Sequence, residues 1–331
     1  MSRIAVIGAG AWGTALTISL ARHGGHQLAL WAHSPDHALQ LAESFVNDRY
    51  LPGFALPAGL CITHDLEEAV AGADLVLCVT PSQALRSIMM LLAPLLRPRQ
   101  VLLSASKGIE ERTFLRMSQI ISEHAPANPI GVLGGPSFAY EVAAGMPTAI
   151  AVAIEDPALG KRLQDDFSSA SLRAYRNQDV VGTELGGALK NVIAVAAGVV
   201  TGLELGQNAT AALITRGNAE IARLTMACGG RRETISGLSG IGDLVLTCTG
   251  GLSRNRAVGM ELGRGKKLHE VIAELNGKVA EGILTTAAAL GLARRHGVEM
   301  PITEQVEAIL HHGKSPLDAI GELMARPGRI E

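Results

Sequence analysis

The chain has 331 residues, with 38 glycines but only 10 aromatic side chains (Trp 2, Tyr 3, Phe 5); that length suits about two domains with a core of their own. Lys and Arg number 29 against 31 Asp and Glu, a net charge of −2, so no basic surplus exists to neutralise a nucleic-acid backbone. A 47% hydrophobic share with 18% charge excludes disorder, and no charge-free stretch reaches the about 20 residues of a membrane-spanning helix.

The elements are read in chain order. Residues 3–8 (RIAVIG) form a short apolar strand stopped by glycine, and 14–23 a helix ended by Gly24-Gly25. The opening Met1-Ser2-Arg3 leads straight into Ile4-Ala5-Val6-Ile7, an apolar run too short for a signal peptide. Strands follow at 27–32, 74–80 and 100–105, with a helix over 82–95, and then at 130–133 and 149–154. Strands alternating with helices of this length predict βαβ units and a parallel sheet. From Glu184 the pattern is helical: 184–203, 208–227, 253–263, 267–276, 281–296, 303–312 and 315–325. The expected architecture is α/β, a doubly wound sheet domain over 1–185 and an all-helical domain over 186–331. No Pro- or Ser-rich linker separates them, so the join reads as a helix. Cys61, Cys78, Cys228 and Cys248 fit neither a zinc pattern nor a CxxC pair, so no metal is expected and a reducing cytoplasm is the default.

Gly8-Ala9-Gly10-Ala11-Trp12-Gly13 matches GxGxxG. The motif is weak alone, but here it follows the first strand and opens the first helix. In that place Gly8 allows the turn, Gly10 lets a pyrophosphate approach the backbone, and Gly13 lets helix and strand pack closely. The helix start adds free N–H groups and a positive dipole. An NAD-specific site wants a carboxylate about 20 residues on; His33 stands there, and the next carboxylate is Asp36. The absence permits a 2′-phosphate. His33 is either a contact to that phosphate or ribose, or a solvated loop histidine.

Lys190 is the only charged residue between Glu184 and Glu204. It either snorkels to water or is a partly desolvated ammonium suited to proton transfer at a carbonyl oxygen. Asn191 beside it is placed to hydrogen-bond a substrate. Lys107, in Ser104-Ala105-Ser106-Lys107-Gly108, ends a parallel strand, where open α/β sheets bind ligands. Gly134-Gly135-Pro136-Ser137 ends another. Gly240-Ile241-Gly242-Asp243 offers Asp243 as a partner for Lys190. Ser253 is a good N-cap for a helix with Arg254 and Asn255 in its first turn, a plausible phosphate site. Each segment also has an ordinary reading, as a surface loop, a glycine turn or a capped helix.

Seven segments carry a wider resemblance: GAGAWGTAL (8–16), LWAHSPDH (30–37), SASKGIE (104–110), GGPSFAYEVAAGMPTA (134–149), ELGGALKNVIAVAAG (184–198), GLSGIGDLVLTCTG (237–250) and LSRNR (252–256). In order and over nearly the whole chain, they resemble the bacterial NAD(P)-dependent glycerol-3-phosphate dehydrogenases. The resemblance implies a fold like that of 6-phosphogluconate dehydrogenase. It implies reduction of dihydroxyacetone phosphate to sn-glycerol 3-phosphate, for glycerophospholipid synthesis. It makes Lys190 the general acid/base and puts substrate contacts on Lys107, Gly135, Ser137, Asp243, Ser253, Arg254 and Asn255. Cofactor contacts fall on Ala11, Trp12, His33, Lys107, Ala139, Arg254, Val279 and Glu281. The cofactor is NADP or NAD, with NADPH favoured, and a cytoplasmic homodimer without nucleic-acid partners is expected. Two rivals stay open: a reductase of a small keto or hydroxy acid on the same two-domain plan, and a nucleotide-sensing module without catalysis.

Overall fold

The computed structural model describes residues 2–275 and 279–328. The chain divides into two compact units, Met1–Lys107 with Leu115–Glu184, and Gly108–Phe114 with Leu185–Glu331.

The first unit runs β1 (Arg3–Ile7), α1 (Ala11–His23), β2 (Gln27–Trp31), α2 (Pro35–Ser44), β3 (Val46–Asn47), β4 (Leu51–Ala55), β5 (Cys61–Thr63), α3 (Leu66–Val70), β6 (Leu75–Cys78), α4 (Leu85–Leu92), β7 (Val101–Ser104), α5 (Met117–His124), β8 (Ile130–Gly134), α6 (Ala139–Ala144), β9 (Thr148–Ile154), α7 (Pro157–Phe167) and β10 (Leu172–Asn177). Eight strands form one sheet in the order β10-β9-β8-β7-β6-β1-β2-β5, and β3 pairs with β4 in a separate hairpin. The sheet is parallel except where β9 meets β8 antiparallel. The expected doubly wound plan holds, with one reversal that short apolar runs do not encode.

Alternation along β1 explains the two-sided core. Ile4 and Val6 pack with Leu16, Leu20 and Phe167 on one face. Ala5 and Ile7 pack with Leu85, Met89 and Ile120 on the other. A strand covered on both faces reads as a continuous apolar run, and RIAVI does. After β1 the chain pairs β2 on one side and later β6 on the other. The sheet order therefore switches at the C-terminal end of β1, where such sheets bind ligands.

In α8 (Val180–Gly202) Lys190 is 7% exposed amid fully buried neighbours. By length and composition α8 could cross a membrane, but 89% of its apolar window is buried inside the protein. The second unit continues with α9 (Gly206–Ala227), α10 (Arg232–Ile235), a π-helical turn over Leu238–Gly242, α11 (Asp243–Thr249), α12 (Arg254–Gly263), α13 (Leu268–Glu274), α14 (Glu281–Arg295), α15 (Pro301–His311) and α16 (Pro316–Met324). The helix expected over 267–276 ends within the described residues at Glu274, and Asn276 lies outside them.

Glycines set how closely these helices meet. A Cβ on Gly198 would lie 2.1 Å from the Arg256 carbonyl oxygen, and one on Gly259 1.9 Å from that of Val195. The backbones of α8 and α12 therefore touch, which a larger residue at either position would prevent. A Cβ on Gly282 in α14 would lie 2.6 Å from the Asn191 carbonyl oxygen. Three helices are thus drawn together around Lys190 and Asn191.

Candidate active site

In the first unit, the glycine turn has the shape its sequence demands. Gly8 has φ +126°, and a Cβ there would meet the Val79 carbonyl oxygen at 2.4 Å. A Cβ on Gly13 would lie 1.9 Å from the Gly8 carbonyl oxygen, so the start of α1 presses on the turn. At Gly10 a Cβ would meet nothing within 4 Å. Two glycines are thus required by the protein itself, whereas Gly10 fronts open space, as close approach of a diphosphate requires. Ala11 and Trp12 open α1, with Trp12 half-buried. The Trp12 Nε1–H is buried without a hydrogen-bond partner among the described residues. A cradle left open at Gly10 fits a bound dinucleotide.

His33 follows β2, is exposed, and its ring stands 5.7 Å from that of Trp31. Lys107 Nζ donates to the Gly135 carbonyl at 3.2 Å, and Ser137 Oγ donates to the same oxygen at 3.1 Å. Those three expected substrate residues therefore share one corner, beyond β7 and β8. Gly135 has φ +106°, and a Cβ would lie 3.2 Å from the Ile150 Cα. Ser106 steadies the approach to Lys107: its hydroxyl donates to the Thr80 carbonyl at 2.6 Å and accepts from the Thr80 N–H at 3.1 Å. Ala139 is the first residue of α6.

In the second unit, Lys190 and Asp243 are 7% and 0% exposed. Lys190 Nζ donates to Asp243 Oδ1, and also to Thr247 Oγ1 at 2.9 Å. The Thr247 hydroxyl in turn donates to the Asp243 carbonyl at 2.6 Å. Lys190 does not snorkel; it is held inside. The glycine-rich π-helical turn delivers Asp243, because a Cβ on Gly240 would lie 1.9 Å from the Ile235 carbonyl oxygen. Thr247 is a residue the motif reading missed. The available signal was its spacing, four residues after Asp243 on a helix and hence on the same face.

Asn191 and Asn255 are also buried. Asn255 Nδ2 donates to Asn191 Oδ1 at 3.0 Å, and its own Oδ1 accepts from the Gly282 N–H at 3.0 Å. The Asn255 side chain thus joins α12 to α8 and α14. Ser253 caps α12, its hydroxyl accepting from the Arg256 N–H at 3.2 Å. Arg254 is accessible to solvent yet crowded by protein, and the resulting desolvation lowers its pKa against the opposing pull of the Glu281 carboxylate. Glu281 starts α14, and Val279 just before it is exposed. Cys248 is buried, and burial pushes its thiol up to about 12, so it is inert beside Lys190. Among the described residues, no group of three His, Cys, Asp or Glu side chains is gathered for a metal ion.

The family model described as "NAD-dependent glycerol-3-phosphate dehydrogenase N-terminus" matches residues 3–160, and its C-terminus counterpart matches 179–321. The chain belongs to the NAD-dependent glycerol-3-phosphate dehydrogenase family. It is 55% identical over 334 residues to "Glycerol-3-phosphate dehydrogenase [NAD(P)+]" of Koribacter versatilis, covering 100% of this chain and 99% of that one. It is 56% identical to the protein of the same name from Acidobacterium capsulatum, with 100% of both covered. The crystal structure of glycerol-3-phosphate dehydrogenase from Coxiella burnetii superposes with a TM-score of 0.94 at 39% identity, over 98% of this chain and 99% of that one. A ketopantoate reductase from Ralstonia eutropha JMP134 shares the fold alone, with 16% identity, a TM-score of 0.62, and coverage of 96% and 99%. The dehydrogenase is thus an NAD(P)-linked oxidoreductase.

Proposed function

We propose that this chain catalyses the reversible NAD(P)H-dependent reduction of dihydroxyacetone phosphate to sn-glycerol 3-phosphate, with Lys190 as the proton donor. The observation that carries the reading is the buried Lys190 ammonium, oriented by Asp243 and Thr247 in an otherwise apolar helix. A water-poor setting makes a positioned donor effective where negative charge develops. The nicotinamide, when bound, supplies the hydride. Lys190 then gives its Nζ proton to the oxygen of the carbonyl being reduced, so that C2 gains hydride, oxygen gains the proton, and a secondary alcohol results. In the reverse direction Lys190 takes that proton back.

The remaining residues bind and orient. Gly8, Gly10, Ala11, Trp12 and Gly13 hold the diphosphate of the dinucleotide at the start of α1. His33 stands where an NAD-specific carboxylate would stand, which favours NADPH over NADH. Ala139, Val279 and Glu281 complete the cofactor contacts by family resemblance. Arg254, with Ser253 and the N–H groups that open α12, takes the substrate phosphate. Lys107, Gly135, Ser137, Asn191 and Asn255 fix the rest of the substrate. Anchoring the phosphate orients the carbonyl for attack. On this reading residues 1–185 bind the dinucleotide and 186–331 supply the acid/base and the phosphate anchor, in a cytoplasmic homodimer.

The test is a spectrophotometric assay at 340 nm with dihydroxyacetone phosphate, ketopantoate and methylmalonate semialdehyde, each with NADPH and with NADH. Turnover confined to the triose phosphate, and faster with NADPH, is expected. Turnover with a keto acid alone overturns the substrate assignment.

A further inference from the structure

Asn47 ends strand β3 and is 1% exposed. It belongs to none of the resembling segments, yet its side chain joins three elements around the glycine turn. Nδ2 donates to the Ala9 carbonyl at 2.9 Å and to the Thr14 hydroxyl at 2.7 Å. Oδ1 accepts from the Tyr50 N–H at 3.3 Å and lies 3.3 Å from His37 Nε2. Because a carboxamide oxygen only accepts, that His37 nitrogen carries the proton. All four hydrogen-bonding sites of the carboxamide are used, so Asn47 has none left for a ligand. Any effect on the cofactor must pass through the turn.

We propose that Asn47 is a positioning residue for the dinucleotide: by holding the Ala9 carbonyl, it sets the direction of the Gly10 N–H that meets the diphosphate. The inference rests on the cofactor reading above. A trans peptide is planar, so the carbonyl of Ala9 and the N–H of Gly10 point opposite ways. Fixing the carbonyl toward the β3–β4 hairpin turns the Gly10 N–H away from it. The second bond, to Thr14 in the first turns of α1, holds the helix start in register with the turn. The anchor is itself packed by aromatic pairs. His37 and Tyr50 meet edge to face at 5.4 Å, and Phe54 of β4 meets Tyr140 of α6 at 5.2 Å. A pre-set donor array binds an anion without ordering cost at the moment of binding.

Asn47→Asp is close to isosteric but puts an acceptor opposite the Ala9 carbonyl. NADPH binding by fluorescence titration and steady-state kinetics would be measured on the full-length enzyme. Wild-type protein that binds no nicotinamide nucleotide defeats the cofactor reading itself, before any variant is made. Given wild-type binding, Asn47→Asp is expected to raise the Kd and KM for NADPH at least tenfold. The KM for dihydroxyacetone phosphate at saturating NADPH should stay within threefold of wild type. An unchanged Kd for NADPH, or a parallel loss in both KM values, overturns the proposal, the latter because it marks a merely structural residue. If Asn47→Asp does not fold, Thr14→Val decides: a threefold or greater rise in the NADPH KM alone supports the proposal, with Thr14→Ser restoring it, and an unchanged KM overturns it.

Discussion

Lys190 and Asp243 form an ion pair inside the second unit, between residues 53 apart in sequence, with both side chains almost wholly removed from solvent. Breaking such a pair by removing one partner leaves a buried charge uncompensated, which costs about 3–5 kcal/mol. Asp243→Ala should therefore lower stability by about that amount in urea unfolding. The double variant Lys190→Met with Asp243→Ala should recover most of the loss, since neither charge then remains. If the two substitutions add, the pair is not coupled as the distances imply.

The glycine turn separates a folding role from a binding role. Gly13→Ala would place a methyl 1.9 Å from the Gly8 carbonyl oxygen, so the backbone must shift and the melting temperature should fall by several degrees. Gly10→Ala adds a methyl that touches no protein atom, at a φ of −76° that any residue adopts. Its melting temperature should match wild type while its KM for NADPH rises at least tenfold. Calorimetry with initial-rate kinetics checks both, and wild-type NADPH kinetics in Gly10→Ala would remove Gly10 from the cofactor site.

Glu220 of α9 is a buried carboxylate with a structural task. Its oxygens accept from the Ile302 N–H at 2.6 Å, the Thr303 N–H at 3.3 Å and the Thr303 hydroxyl at 3.2 Å, capping α15. Burial pushes its pKa from 4.5 up to about 7, against the lowering effect of those hydrogen bonds and of Arg223. The native state therefore keeps a proton that the unfolded chain loses first. This group's contribution to stability is full below about 4.5 and falls away as pH rises to about 7. Relative to wild type, Glu220→Gln should gain roughly 2–3 kcal/mol between pH 5 and pH 8. Urea unfolding at the two pH values tests it, and an equal offset at both would contradict it.

Much of this was legible in the sequence, for reasons that differ by residue. RIAVI and LVLC read as strands because both faces are covered, and GxGxxG could be weighed because it sat between a strand and a helix. Strand β10 escaped notice because its charged residues Arg173 and Arg176 face outward along an edge, which breaks the apolar run. Strand β5, three residues long, carries too little pattern to read. Lys190 stood out as one charge in an apolar helix. That Thr247 shares its ammonium, and that Asn47 grips the glycine turn from a hairpin, are tertiary facts without a local signature. The bonds of the Asn255 side chain to Asn191 and to the Gly282 N–H, set by three converging helices, likewise have no local signature.

The claim most exposed to disproof is that the Lys190 ammonium delivers the proton. Lys190→Ala should lower kcat for dihydroxyacetone phosphate reduction by at least ~10². The protein should still be folded by circular dichroism and its NADPH affinity near wild type. A folded Lys190→Ala enzyme with near-normal kcat would contradict the account.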